Sequence, residues 1–273
     1  MGGASYSQGG WFVLKIDKFI DILGNATNTA TLYDYLNRYP FNWIQLYDLY
    51  SVFGDTGKEN ALESFIEGVR ANCPGILRIG AIMGSGTAGF QSVFDYNASH
   101  SLKGRFNDFN KENEFWNYPN PGTETFTDWI NSLNWLLAKR PAPLLPTDTI
   151  SAYIANPGGG AWGTTEALQM VGVADYYECT NYVTDFTTER AVDWCMVFLG
   201  EAAVTLKTDQ KTNLLVSAEP AFDGAAFASV GDIKVIWKRF FDDWFTRNYA
   251  NRNRVVMNGI NFFNYSEMQT YLP

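Results

Sequence analysis

The stretch Trp11-Phe-Val-Leu-Lys-Ile-Asp17, followed by a helical segment from Thr29 to Asn37 and then by Phe41-Asn-Trp-Ile-Gln-Leu-Tyr-Asp48, decides the fold. It is an apolar run, a polar turn, a helix-forming stretch and a second apolar run, the order of a parallel strand–helix–strand unit. The same order continues down the chain. Thr56-Gly-Lys-Glu59 has the spacing of a capping box and opens a helix toward Asn72, where Pro74-Gly75 stops it. Ile76-Leu-Arg-Ile-Gly-Ala-Ile-Met83 reads as a third strand, with Gly84-Ser-Gly86 as the tight turn after it.

The fourth unit, Phe106-Asn-Asp-Phe-Asn-Lys-Glu-Asn-Glu-Phe-Trp116, reads as a strand but is dense in polar residues. A loop with Pro119, Pro121 and Gly122 leads from it to a helix whose apolar stripe is Phe126, Ile130, Leu133 and Leu137. Arg140-Pro-Ala-Pro143 ends that helix. Thr149 to Ala155 is a fifth strand, followed by Asn156-Pro-Gly-Gly-Gly160 and a short helix from Thr164. Ala174 to Tyr182 is a sixth, and the helix after it carries Val192, Cys195, Leu199 and Ala203. Asn213 to Glu219 is a seventh, stopped by Pro220; a helix with Ile233, Ile236, Trp237, Phe240 and Trp244 follows. Arg254 to Phe262 closes the series as an eighth. Eight strand–helix units are what a (β/α)8 barrel of about 250 residues requires. An open doubly wound sheet has fewer strands, and no Gly-rich nucleotide fingerprint follows the first strand. The expectation is an α/β chain forming a single (β/α)8 TIM barrel over 11–273, preceded by a flexible Gly/Ser leader over 1–10.

Composition narrows the function. The 273 residues are 46% hydrophobic and 18% charged, against about a quarter charged in an average chain. Disorder needs the opposite balance. A net charge of −9 disfavours nucleic acid as a partner, because phosphate binding needs clustered Lys and Arg. No apolar run approaches the roughly 18–20 residues of a membrane span. Cys73, Cys179 and Cys195 are odd in number and widely spaced, and read as small buried hydrophobes rather than a disulfide or zinc framework. His100 is the only histidine and no GxSxG elbow accompanies it, so a Ser-His-Asp triad is disfavoured. No cofactor motif is expected: Asn156 to Gly160 lacks the ending of a phosphate loop and reads as a rim of the mouth. The first ten residues lack the n- and h-regions of a signal peptide. The chain is read as cytoplasmic, or as a processed piece of a larger extracellular or cell-surface protein.

Active sites of such barrels sit at the C-terminal ends of the strands. Alternation along the fourth strand places Asn110, Glu112 and Glu114 on one face. Two carboxylates and an amide directed to the mouth are costly to bury unless paired or used. Neighbouring carboxylates also push each other's ionisation apart, which supplies a general acid beside a stabilising anion, as glycoside hydrolysis needs. Trp116, Trp162, Tyr177, Tyr182, Phe262, Phe263 and Tyr265 all fall at or just past strand ends. Flat, partly polar rings there suit the apolar faces of sugars, so the expected partner is a carbohydrate. Trp129, Trp135, Trp194, Trp237 and Trp244 lie in helices and are expected to pack between layers.

The stretch Phe106-Asn107-Asp-Phe-Asn110-Lys-Glu112-Asn-Glu114 resembles the DxxDxDxE motif of family 18 glycoside hydrolases, which include chitinases and endo-β-N-acetylglucosaminidases. Asn107 and Asn110 stand for the first two Asp, and Glu112 for the third. The resemblance implies an N-acetylglucosamine-containing glycan as ligand and Glu114 as general acid/base. It implies Glu112 steering the substrate's 2-acetamido nucleophile and Asn110 supporting Glu112. The family's sixth-strand Tyr corresponds in place to Asn181-Tyr182, and its eighth-strand Trp to Phe262, Phe263 and Tyr265. Two alternatives follow from the same residues. One is a retaining glycosidase with Asn113-Glu114 on the fourth strand and Glu219 as nucleophile on the seventh. The other, suggested by the Asn replacements, is a catalytically silent glycan-binding or structural barrel in a larger assembly.

Overall fold

The computed structural model describes residues 10–273 apart from 141, 158, 159, 248 and 250. The leader expected over 1–10 therefore lies outside the described residues except for Gly10, as do Pro141 after the fourth helix and Gly158 and Gly159 of the fifth-strand loop. Eight parallel strands, β1 (Trp11–Ile16), β2 (Trp43–Leu46), β3 (Arg78–Met83), β4 (Asp108–Lys111), β5 (Thr149–Ile154), β6 (Tyr176–Thr180), β7 (Gln210–Ser217) and β8 (Val255–Phe263), follow one another around a closed barrel. β1 pairs with both β2 and β8, which closes the ring. The fold is a single (β/α)8 barrel. No helix among the described residues is long and apolar enough to cross a membrane.

The helices follow the strands in turn: α1 (Ala26–Arg38), α2 (Thr56–Asn72), α3 (Ala88–Ser99), α4 (Phe126–Leu137), α5 (Thr164–Met170), α6 (Glu189–Ala191), α7 (Val197–Leu206), α8 (Gly224–Val230), α9 (Ile233–Thr246) and, after β8, α10 (Tyr265–Tyr271). A π-turn, Val192–Met196, joins α6 to α7. In α4, Trp129, Ile130, Leu133 and Leu136 are buried against the barrel, each contributing about 1.5–3 kcal/mol by leaving water. Two starts differ from the sequence reading. Asn25, which accepts from Asn28 N, opens α1 earlier than Thr29. Asp55, rather than Thr56, caps α2, accepting from the Gly57 and Lys58 amides, while Glu59 accepts from Gly54 N. An ionised Asp suits the helix N-terminus. All three cysteines are free and buried. His100 ends α3, stacked on Tyr96.

The fourth strand is shorter than its sequence suggests. Its ladder ends at Lys111, with one further bond from Glu112 N to Met83 O at 2.9 Å. Asn113 then turns away to brace the loop, donating to Ser85 Oγ and Gly122 O and accepting from Glu124 N. Phe115 to Asn117 forms a 3-10 turn.

The barrel interior departs from the branched apolar filling usual in this fold. At the bottom, the Arg78 guanidinium lies 4.0 Å from the Trp11 ring centre and 5.0 Å from that of Trp43. Above it Gln45, Asp108, Asn110, Ser151 and Glu178 are all buried and hydrogen-bonded to one another. Gly80 leaves room for them: a Cβ there would stand 2.3 Å from Asp108 Oδ2.

Candidate active site

Three inward positions on three strands hold the centre of the mouth. Alternation carries Val13, then Lys15, inward on β1, Gln45, then Tyr47, on β2 and its extension, and Asn110, then Glu112, on β4 and its extension. Lys15 is fully buried, and its Nζ lies 2.7 Å from both Glu112 Oε2 and Glu178 Oε2. Burial alone would lower its pKa, but the two carboxylates outweigh burial and hold the ammonium above its ordinary value. Glu178 Oε1 accepts from Gln45 Nε2 at 2.7 Å and Asn110 Nδ2 at 2.8 Å. Glu112 Oε1 accepts from the Tyr47 hydroxyl at 2.5 Å. Glu112 is thus a partly exposed anion fixed from below by a cation and from the side by a phenol. Beneath them, burial and then the charge of Glu178 push the Asp108 carboxyl up to about 7.

Glu114 stands differently. It is exposed, and its carboxylate accepts from Asn117 Nδ2 at 2.7 Å and the Tyr153 hydroxyl at 3.3 Å. Both donors are neutral, and among the described residues it forms no ion pair. Glu219, half-buried past β7, accepts from Ser217 Oγ at 2.8 Å. Tyr182 stands among these groups. Burial, then Tyr153, Glu112, Glu219 and Glu114, push its phenol well above its ordinary range. Phe263 meets the Tyr47 ring edge-on at 6.1 Å, and Trp116 meets the Tyr153 ring edge-on at 5.0 Å.

Of the residues expected at the site, the structure brings Asn110, Glu112, Glu114, Tyr182, Glu219, Phe263 and Trp116 to the mouth or directly behind it. It places the others elsewhere, and each has a physical reason. Tyr177 points outward on β6, packs near Trp129 and donates its hydroxyl to Met170 O, because the inward positions of that strand are Tyr176, Glu178 and Thr180. Phe262 faces outward against Phe41 and Phe227. Tyr265 begins α10 and packs against Tyr35. Trp162 is buried, donating Nε1 to Ala155 O. Asn181 is buried and brackets the loop after β6, donating to Thr187 O and accepting from Ala191 N. Sequence reasoning missed Lys15, Tyr47, Tyr153 and Glu178. The signal was present: a charged residue inside an apolar strand is rarely buried unless paired.

Among the described residues no cluster of His, Cys, Asp and Glu is arranged to hold a metal ion. The mouth therefore offers carboxylates, phenols and one compensated ammonium, a set suited to proton transfer and to hydrogen bonding with hydroxyl-rich ligands.

No protein-family model and no curated protein matches the chain. Among solved structures, the fold is similar to that of a Cellulomonas fimi endo-β-1,4-mannanase double mutant, at TM-score 0.56 and 10% identity over 97% of this chain and 70% of that one. It also aligns with a dihydrodipicolinate synthase family protein of Coccidioides immitis, at TM-score 0.45 and 11% identity over 88% of this chain and 79% of the other. At 10% identity the first likeness speaks for the barrel alone. It does not single out the family 18 pattern from other barrels with this architecture.

Proposed function

We propose that this barrel hydrolyses a glycosidic bond in an N-acetylglucosamine-containing glycan, with Glu114 as general acid/base and Glu112 as the fixed anion beside the reacting centre. The observation that carries the reading is the different setting of the two carboxylates. Lys15 and Tyr47 hold Glu112 in place as an anion, which suits charge stabilisation rather than proton donation. Glu114 has only neutral partners and stands in water. A sugar covering it removes that water and brings the glycosidic oxygen to the carboxyl, the arrangement a general acid needs. Asn110 acts through Glu178 and Lys15 rather than on Glu112 directly. The phenols of Tyr47, Tyr153 and Tyr182 supply donors for the sugar's polar edge.

A second reading draws on Glu219. Glu219 is half-buried just past the end of β7 and would serve there as a second carboxylate, the nucleophile that retaining enzymes use. Glu112→Gln and Glu219→Gln separate the two in an assay on chitooligosaccharides. Loss confined to Glu112→Gln supports substrate assistance; loss confined to Glu219→Gln, with an azide-rescued glycosyl azide of inverted configuration, supports a protein nucleophile. Calorimetry with the same sugars detects the remaining case, a barrel that binds without cutting.

A further inference from the structure

Beside the mouth, on the loops after β6 and β7, lies a concave pocket of about 480 Å³ that the reaction described above does not use. Tyr182 forms part of its wall, so the pocket adjoins the mouth. Its other walls include Phe222, Trp194, Arg190, Asp185 and Asp193. The Tyr182 and Phe222 rings are 5.1 Å apart, and the Arg190 guanidinium lies 5.3 Å from the Trp194 ring. Trp194, expected to serve only as packing, does two things. One side rests on the core, and the remainder of its half-buried ring borders the pocket. It sits in the π-turn Val192–Met196, an irregularity that often marks a functional position in a helix.

The walls are held in place without a ligand. Asn181 ties the loop to Thr187 O and Ala191 N. Thr188 donates through both its amide and its hydroxyl to Asp243 of α9. Asp185 accepts from the amide and hydroxyl of Thr187. Arg190 donates to the Tyr182 carbonyl. Aromatic rings supply flat apolar contact, two exposed carboxylates accept from hydroxyl pairs, and one guanidinium donates. That combination fits a pyranose ring, with its apolar C–H face and polar rim. A bare cation is disfavoured because Arg190 lines the same pocket and contributes charge of the same sign.

We propose that this pocket is an outer sugar subsite, and that the ligand is an extended glycan chain running from the mouth across Tyr182 to Trp194 rather than a single terminal sugar. The proposal rests on the glycan reading of the mouth and adds chain length to it. It makes the protein an interior-cutting, or chain-binding, barrel.

The test is calorimetry of the full chain with N-acetylglucosamine dimer and hexamer. The Glu114→Gln variant is used so that ligand survives the titration. The hexamer is expected to bind about tenfold or more tightly than the dimer. Trp194→Ala should abolish that gain and leave the dimer's affinity unchanged. Ala221→Trp fills the pocket from an exposed wall position and removes no native contact. It should abolish the gain in the same way, which guards against misfolding of the Trp194 variant. Equal affinity for the two lengths, or a length gain that Ala221→Trp leaves intact, overturns the subsite while the mouth reading stands. Failure of both sugars to bind overturns the two together.

Discussion

Lys15 Nζ lies 2.7 Å from Glu112 Oε2 and 2.7 Å from Glu178 Oε2, joining a partly exposed carboxylate at the mouth to a fully buried one beneath it. This bridge organises the site. Glu178 is fixed by Gln45 and Asn110, Lys15 is fixed by Glu178, and Glu112 is fixed by Lys15 and Tyr47. The position of Glu112 is therefore set by residues of three other strands and their extensions, β1, β2 and β6, and by Asn110 of its own.

The bridge predicts a specific pattern of stability. Lys15→Met leaves Glu178 buried without its cation, at a cost of about 3–5 kcal/mol. Adding Glu178→Gln removes the stranded charge and should restore most of the loss. Urea unfolding of the two single variants and the double variant checks this; a double variant as unstable as the sum of the singles would contradict it.

Tyr47 provides a test of positioning. Tyr47→Phe removes the hydroxyl that donates to Glu112 while keeping the ring against Phe263. Turnover should fall about 10-fold or more, with sugar affinity changed less, because one donor to the fixed anion is lost. A change in affinity with turnover intact would place Tyr47 in ligand binding instead.

Asp223 predicts the pH response of stability. It holds the N-cap position of α8 without a side-chain capping bond and is buried. Burial, and next the charge of Asp185, push its carboxyl up to about 9. The folded form keeps this proton after the unfolded chain, titrating near 4, has lost it. Stability is therefore greatest at low pH for this group and falls as pH rises from about 4 to about 9. Asp108, titrating at about 7, adds to the fall in the lower part of that range. Asp223→Asn should flatten the curve between pH 7 and 9 in unfolding measurements; an unchanged slope would contradict the assignment.

Trp162 and Trp116 separate packing from function. Trp162→Ala empties a buried indole and strands the Ala155 carbonyl it serves, at a cost of about 3–5 kcal/mol. Trp116→Ala removes the ring against Tyr153, whose hydroxyl reaches Glu114. Because this ring is buried as well, stability should fall too, but only this variant should also lower the turnover of the folded protein. Thermal unfolding beside activity for both variants distinguishes the roles.

The alternation of apolar runs and helical stretches made the barrel legible, because each strand buries both faces and each helix keeps its 3.6-residue stripe. Asn110, Glu112 and Glu114 stood out because charge is scarce on the other strands. The cross-barrel partners did not. Lys15 in Trp11–Ile16 and Glu178 in Tyr176–Thr180 are far apart in the chain, and only closure of the ring brings them together. Phe262 and Tyr265 lie at the end of β8 but pack away from the mouth, Tyr177 lies near the start of β6, and Trp162 is buried in the loop after β5. A one-residue change of register reverses the direction of a side chain. The shortness of β4 was hidden because the polar residues past Lys111 continue its alternation while the backbone has already left the ladder.

In the proposed reaction Glu114 delivers the proton to a departing glycosidic oxygen. The most direct measurement is the turnover of wild type and Glu114→Gln on two aryl glycosides of N-acetylglucosamine oligomers, one with a poor leaving group and one with a dinitrophenyl group. Glu114→Gln should lose about 10²–10⁴-fold on the poor leaving group. The loss should be much smaller on the activated one, which departs without a proton. Equal losses on both substrates, or none on either, would contradict it.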